Sequence, residues 1–186
     1  MVVDSAPFPA FELTTWHSWG STSIVLLHIR RFIVGQWQNN ALSTLAKVNY
    51  LPYGIDFPQG PTGRFCNGRT VVDVIAELLG FNSFVPPFAT AEGEVILKGV
   101  NYASGGSGIR DEKWSKPGFK VTNMGCCGGQ NACLRSSTPC QNRSEYAFWD
   151  QFHSTEAVNL IFGQRAYKSQ TPSDAYPIDI STLAQL

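Results

Sequence analysis

The sequence predicts an α/β fold, because strand-like and helix-like segments alternate along it. A short apolar run ending at Gly precedes a clear amphipathic helix, and extended segments return before a second helix near the C-terminus. The 186 residues suffice for one domain with a sizeable core. With 43% hydrophobic and 15% charged residues, the composition is typical of a globular chain rather than a disordered one.

The N-terminal third is predicted to hold little regular structure. Residues 1–31 show no sustained period, and we expect poor order there. Residues 31–35 favour a short buried strand and residues 41–48 a short helix. Residues 50–69 contain three Pro and four Gly, which predicts a loop with defined turns.

The clearest helix is predicted over residues 70–79. Thr70 and Asp73 have the spacing of a capping box, in which each satisfies a free backbone N–H of the other. Gly80 is suited to the position just after the helix. Apolar residues recur at the spacing of one helix face, at Val71, Val74, Ile75 and Leu78.

The second half is predicted to contain extended segments, turns and a last helix. A Gly-rich turn is expected at residues 104–108, the last helix at residues 155–167, and an extended tail at residues 172–186. Extended segments are expected at residues 95–97, 99–102 and 119–122.

Charge and hydropathy argue against two classes of partner. The formal net charge is zero and no basic stripe is present, so we expect no nucleic-acid partner. The apolar run at residues 24–27 is too short to span a bilayer, so no transmembrane segment is expected. Arg30 and Arg31 follow this run rather than precede it, which is not the pattern of a signal peptide.

The cysteines favour disulfides over a metal. Their spacing is not the C-x-x-C pairing usual for zinc, so we expect no metal and no other cofactor, and the disulfide pairing stays open. Disulfides imply an oxidising compartment, in conflict with the missing signal peptide. Cys66 is left over, either buried or free, and Asn142 begins a glycosylation sequon. The four clustered cysteines are Cys126, Cys127, Cys133 and Cys140.

Asp150 precedes His153 by three residues, just ahead of the last predicted helix. A histidine that acts as a general base needs an acceptor on its other ring nitrogen, and an Asp on a tight turn supplies one. The positive end of the following helix disfavours imidazolium and so helps to keep the base neutral. On spacing alone, an Asp that caps a turn beside a surface His is the commoner arrangement.

Five segments, taken together and in order, resemble the plant GDSL esterase/lipase family, a branch of the SGNH hydrolases. The resemblance covers roughly three quarters of the chain. It implies hydrolysis of carboxylic esters or lipids, secretion, and a three-layer α/β/α, flavodoxin-like domain with a parallel sheet. We assign residues 32–186 to part of this domain and residues 1–31 to a divergent segment. The segments are NYLPYGIDF at 49–57, PTGRFCNGRT at 61–70, GVNYASG at 99–105, GCCG at 125–128 and DQFHSTEA at 150–157.

The same resemblance assigns roles to three residues. His153 would be the general base of the catalytic triad and Asp150 would orient it. Gly105 would donate its backbone N–H to the oxyanion, although a plain tight turn is the alternative reading of this Gly.

The nucleophile expected from the resemblance is missing. Family members carry it in a Gly-Asp-Ser-Leu motif after the first strand and a further oxyanion donor in a Gly-x-Asn-Asp motif, and this chain contains neither. Residues 118–123 match a segment that lies much later in family members, although in this chain they come soon after residues 110–112. We therefore expect that central βα units are deleted, leaving an incomplete and destabilised domain.

Three other residues are weak candidates for the nucleophile. Ser5 lacks a preceding Gly and strand, Ser107 lacks the second Gly of a Gly-x-Ser-x-Gly elbow, and Cys66 would need a lowered pKa. Two main hypotheses result: an ester hydrolase by descent, and a truncated or mispredicted family member without activity. A secreted Cys-rich binding module is a third, which requires the loop at 126–140 to fold alone.

Overall fold

A computed structural model describes residues 47–86, 91–93, 96, 100–101 and 118–186. The predicted strand at 31–35, most of the predicted helix at 41–48 and the turn at 104–108 lie outside these residues, as does the segment 1–31. The described elements are, in chain order, helix α1 (Val71–Leu78), strand β1 (Val121–Gly125), strand β2 (Tyr146–Phe148), helix α2 (Glu156–Tyr167) and helix α3 (Ile180–Leu183).

The two strands pair in parallel, which confirms the α/β class for the described part of the chain. Val121 pairs with Tyr146 and Gly125 with Phe148, with an irregularity between the two pairs. Parallel neighbours need a crossover connection. The segment that links β1 to β2 contains the four clustered cysteines and a single 3₁₀ turn, Arg143–Glu145.

Helix α1 begins with the predicted capping box. The Thr70 hydroxyl accepts from the Asp73 N–H at 3.3 Å, and the Asp73 carboxylate accepts from the Thr70 N–H at 2.8 Å. The same carboxylate, fully buried, binds the Arg64 guanidinium through two hydrogen bonds of 2.8 Å each. Gly80 has φ +82° and follows the helix as predicted.

Helix α2 is capped from a distant part of the chain. Thr155 holds the N-cap position, but its hydroxyl donates to the Tyr146 carbonyl at 2.7 Å instead of capping the helix. The Glu156 N–H donates to the side-chain oxygen of Asn67 at 2.9 Å. The Asn159 amide in turn donates to the Arg69 carbonyl at 2.9 Å, so the loop before α1 holds the start of α2 in place.

Helices α1 and α2 pack against each other over a small core. Gly163 of α2 faces Val74 of α1 so closely that a Cβ at position 163 would lie 2.5 Å from a Val74 methyl carbon. The fully buried Ile180 belongs to this core, so the tail predicted as extended instead contains α3 and packs inward. The buried core residues are Val71, Ile75, Ala147, Val158, Phe162, Ala166 and Ile180.

The clustered cysteines form two disulfides, which confirms the disulfide prediction and settles the pairing. Cys126 bonds to Cys140 and Cys127 to Cys133. Three of these cysteines lie in a second buried cluster with Val48, Tyr53 and Trp149, and the partly buried Cys140 packs against it. Within the described residues, no group of three or more His, Cys, Asp or Glu side chains is arranged to hold a metal ion. In that same part of the chain, no helix has the length and apolarity needed to cross a membrane.

Candidate active site

Asp150 and His153 lie on a tight turn between β2 and α2, and their side chains are bonded to each other. The His153 Nδ1 atom lies 2.8 Å from each carboxylate oxygen of Asp150. One of these oxygens, Oδ1, also accepts the backbone N–H groups of Phe152 at 2.8 Å and of His153 at 2.7 Å. The turn therefore fixes the carboxylate beside the imidazole.

This bonding determines the form of the neutral imidazole. An ionised carboxylate only accepts hydrogen bonds, so the Nδ1 atom of His153 donates and carries the ring proton. The Nε2 atom is then unprotonated and able to take a proton. It is buried and has no hydrogen-bond partner among the residues that the structure describes. His153 is thus a base whose Nδ1 is hydrogen-bonded to Asp150 and whose Nε2 lacks a partner in the described part of the chain.

Asp150 is ionised although it is buried. Burial by itself raises the pKa of a carboxyl, but the hydrogen bonds from His153, Tyr53 and the Phe152 N–H outweigh it and hold the pKa of Asp150 below its ordinary value. The Tyr53 hydroxyl donates to Asp150 Oδ2 at 2.7 Å. Burial and the neighbouring Asp150 raise the pKa of Tyr53, so this hydroxyl keeps its proton and remains a donor.

Aromatic rings enclose the pair. The Phe65 ring lies against the His153 imidazole, with centroids 4.6 Å apart and planes inclined by 32°. The Tyr53 ring makes edge contacts with Phe65 at 6.1 Å and with Trp149 at 6.4 Å. Trp149 is completely buried, and its backbone N–H donates to the His153 carbonyl at 2.7 Å. The Phe65 ring therefore covers one face of the imidazole, and the hydrogen bond from Trp149 holds the backbone of His153 in place.

The end of β1 packs directly on the backbone of Asp150. A Cβ at Gly125 would lie 2.8 to 2.9 Å from the Asp150 carbonyl carbon, Cα and carbonyl oxygen. The next two residues bond to the segment that leads into the turn, Cys126 N–H to the Phe148 carbonyl at 2.9 Å and Cys127 N–H to the Trp149 carbonyl at 2.7 Å. The absence of a side chain at position 125 allows this approach.

The structure argues against Cys66 as a nucleophile. The side chain is buried and unbridged, and its Sγ donates to the Gly68 carbonyl at 3.0 Å. Burial raises the pKa of the Cys66 thiol to about 12, whereas a nucleophilic cysteine needs a lowered pKa. Gly105, Ser5 and Ser107 lie outside the described residues.

The sequence did not single out Tyr53 or Phe65 as site residues. Both lie in the loop predicted at residues 50–69, and Tyr53 is 97 residues from Asp150 along the chain. No periodicity or spacing rule connects positions so far apart. The one available signal was that both residues fall in segments that resemble the GDSL esterase/lipase family.

A histidine held by a buried carboxylate on a strand-to-helix turn of an α/β fold is typical of hydrolases that act through a serine nucleophile. Three proteins of Arabidopsis thaliana show which hydrolases this chain resembles. The GDSL esterase/lipase At5g45670 is 27% identical over 326 aligned positions, covering 83% of this chain and 90% of that protein. The GDSL esterase/lipase At2g19010 is 40% identical over 133 positions, covering 71% and 39%. The GDSL esterase/lipase At4g30140 is 61% identical over 84 positions, covering 45% and 24%.

The chain belongs to the plant GDSL esterase/lipase family. The longest of these alignments spans 326 positions, more than the 186 residues present, so long gaps open in this chain relative to At5g45670. Together with the high identity over short stretches, these gaps are consistent with a partial or internally deleted member. No protein-family model matches the chain. No solved structure matches it either.

Proposed function

We propose that this chain carries the proton-transfer half of a GDSL-type ester hydrolase, with His153 as general base and Asp150 as the residue that orients it. The substrates would be carboxylic esters or lipids, and no cofactor is needed. His153 Nε2 would take the proton of an attacking hydroxyl and return it to the leaving alcohol, while Asp150 stabilises the imidazolium formed in between. The relatives named above support ester hydrolysis at the level of the family.

The state of His153 Nε2 is the observation that carries this proposal. A buried polar atom without a hydrogen bond costs about 1–3 kcal/mol, so each one calls for an explanation, and a catalytic role is one that accounts for the cost. Here the unsatisfied atom is the one that a general base must present, and the opposite ring nitrogen already has its acceptor.

A second candidate is a family member without catalytic activity, and the sequence favours it. The Gly-Asp-Ser-Leu and Gly-x-Asn-Asp motifs are absent, and Cys66 does not replace the serine. Loss of one oxyanion donor lowers rates by about 10²–10³. Loss of the nucleophile leaves only the residual contribution of binding and of the remaining groups. On this hypothesis the purified chain hydrolyses esters at the background rate.

Hydrolysis of p-nitrophenyl acetate and p-nitrophenyl butyrate separates the two candidates. An active chain gives a rate above background that Asp150→Ala/His153→Ala abolishes and that Gln164→Ala, an exposed change on α2, leaves intact. A fluorophosphonate probe followed by mass spectrometry then identifies an activated serine, for which Ser5 and Ser107 are the residues to inspect first. A rate that the double variant retains in full contradicts the role proposed for the pair.

We further propose that residues 32–186 are an incomplete three-layer α/β/α domain from which central βα units have been lost. The parallel pairing of β1 with β2, the packing of α1 on α2 and the gaps in the alignment support this. Transcript and genomic sequence across residues 35–36 and 112–118 test it, because coding segments for the missing motifs should lie between those positions in the gene. An uninterrupted gene at both junctions would contradict a splicing origin.

Secretion is proposed from the two disulfides, which persist in an oxidising compartment. Asn142 supports it as a glycosylation site, since it is exposed and its side-chain oxygen accepts from the Ser144 hydroxyl at 2.7 Å. Expression in plant cells should give a product whose mass falls on treatment with peptide N-glycosidase. Ser144→Ala should remove this shift and Ser144→Thr, which keeps the sequon, should retain it.

A further inference from the structure

We propose that Tyr53 is a positioning residue that fixes the Asp150 carboxylate and, through it, the tautomer of His153. The catalytic meaning of this inference rests on the proposed function, but the contact itself does not. The Tyr53 hydroxyl donates to Asp150 Oδ2 at 2.7 Å, and both side chains are buried. Nothing about residue type or spacing in the sequence links these two positions.

Tyr53 is the donor that ties the Asp150 carboxylate to another part of the molecule. The remaining donors to the Asp150 carboxylate seen in the described residues are two backbone N–H groups and one ring nitrogen, all from residues 152 and 153 of the same turn. These local bonds move with the turn. The bond from Tyr53 spans 97 residues and anchors the carboxylate to the loop before α1.

The two carboxylate oxygens have different partners, and this difference gives Tyr53 its effect. Within the described part of the chain, Oδ1 accepts both backbone N–H groups, whereas the partners of Oδ2 are the Tyr53 hydroxyl and His153 Nδ1. Without the hydroxyl, Oδ2 keeps its contact with His153 Nδ1 but loses the donor that anchors it to the loop before α1, so the carboxylate is free to turn away from its alignment with the imidazole. The His153 proton would then no longer be confined to Nδ1.

The surroundings make a clean substitution available. The Tyr53 ring is held by edge contacts with Phe65 and Trp149, and Phe65 itself lies against His153. Tyr53→Phe keeps these ring contacts and removes only the hydroxyl. Tyr50→Phe is the matched control, because Tyr50 contacts the Tyr53 ring but donates its own hydroxyl to the Cys133 carbonyl at 3.1 Å.

The test is nitrogen NMR of protein carrying ¹⁵N-labelled histidine, with His153 assigned by loss of its signals in His153→Gln. In the unsubstituted protein at neutral pH, we expect Nδ1 to resonate as a protonated nitrogen and Nε2 as an unprotonated one. Tyr53→Phe should bring the two resonances towards each other as the tautomers mix, and Tyr50→Phe should leave them apart. Equal spectra for Tyr53→Phe and the unsubstituted protein would overturn the inference, as would an equal change in both variants.

Two further readouts keep the inference testable. If Tyr53→Phe fails to fold, the unsubstituted protein still decides, since a slowly exchanging Tyr53 hydroxyl proton with a cross-peak to the His153 Nδ1 proton is expected and its absence refutes the contact. If ester hydrolysis is measurable, Tyr53→Phe should lower kcat and leave KM unchanged. A tautomer change in a protein without esterase activity would refute the proposed function and leave the positioning role of Tyr53 standing.

Discussion

Substituting Gly163 by Ala tests how closely α1 and α2 depend on each other. The added Cβ would lie 2.5 Å from Val74 Cγ1 and 2.7 Å from Val74 Cβ, against about 3.5–4.0 Å for ordinary carbon contact. A rotamer change moves the methyl group but not the Cβ, so the helices must separate. Both residues are buried.

The magnitude follows from two opposing effects. Ala is better than Gly in a helix interior by about 1 kcal/mol. Overpacking a buried contact costs about 1–3 kcal/mol, and the fixed position of the Val74 Cβ places this case at the upper end. We therefore expect Gly163→Ala to lower the free energy of unfolding by about 1–2 kcal/mol. That corresponds to a fall in Tm of about 2–8 °C for a chain of this size.

Urea denaturation followed by tryptophan fluorescence measures the effect, with Gln164→Ala as an exposed control on the same helix. Val74→Ala in the Gly163→Ala background should recover part of the loss, giving a coupling free energy of about 1 kcal/mol in the favourable direction. The recovery is incomplete because an Ala at position 74 keeps its Cβ. A Gly163→Ala variant at least as stable as the unsubstituted protein would refute the packing argument.

Three other predictions follow from contacts described above. Asn67→Ala should lower the free energy of unfolding by about 1 kcal/mol, the usual cost of losing a helix cap, because the Glu156 N–H loses its acceptor; a change below 0.3 kcal/mol in urea denaturation would contradict this. Cys66 should resist iodoacetamide at pH 8 in the folded protein and react in denaturant, as mass spectrometry would show, because its thiol is buried with a pKa of about 12. Asp150→Asn should cost stability at neutral pH, and the difference should shrink as the pH falls below the ordinary carboxyl value of 3.8, because a folded-state pKa below the unfolded one stabilises only the ionised form. A difference that stays constant down to pH 2 would contradict the ionised state of Asp150.

Local signals in the sequence predicted the two longer helices well. The capping box of Thr70 and Asp73 and the apolar spacing after it locate α1 to within one residue at each end. Helix α2 begins one residue after its predicted start and ends at the predicted Tyr167. Such features are encoded by residues three or four positions apart, which a reading along the chain captures.

Contacts between distant segments could not be obtained in the same way. The sequence identified four cysteines as disulfide partners but left their pairing open, since pairing depends on how the loop folds back. It placed Asp150 beside His153 but missed Tyr53, which reaches the pair from 97 residues away. It read the C-terminal tail as extended because the four residues of α3 are too few to show a period, although Ile180 is fully buried.

The candidate site should be sensitive to substitution of Gly125, although Gly125 has no reactive group. It has no side chain that could donate or accept a hydrogen bond, but the Asp150 backbone packs directly against its Cα. Any other amino acid there would displace Asp150 and the imidazole bonded to it, and so disturb the hydrogen bond from Tyr53. If all substitutions at each position were tested for their effect on the orientation of His153, position 125 should tolerate as few of them as position 150. A set of variants chosen only for their reactive side chains would not include it.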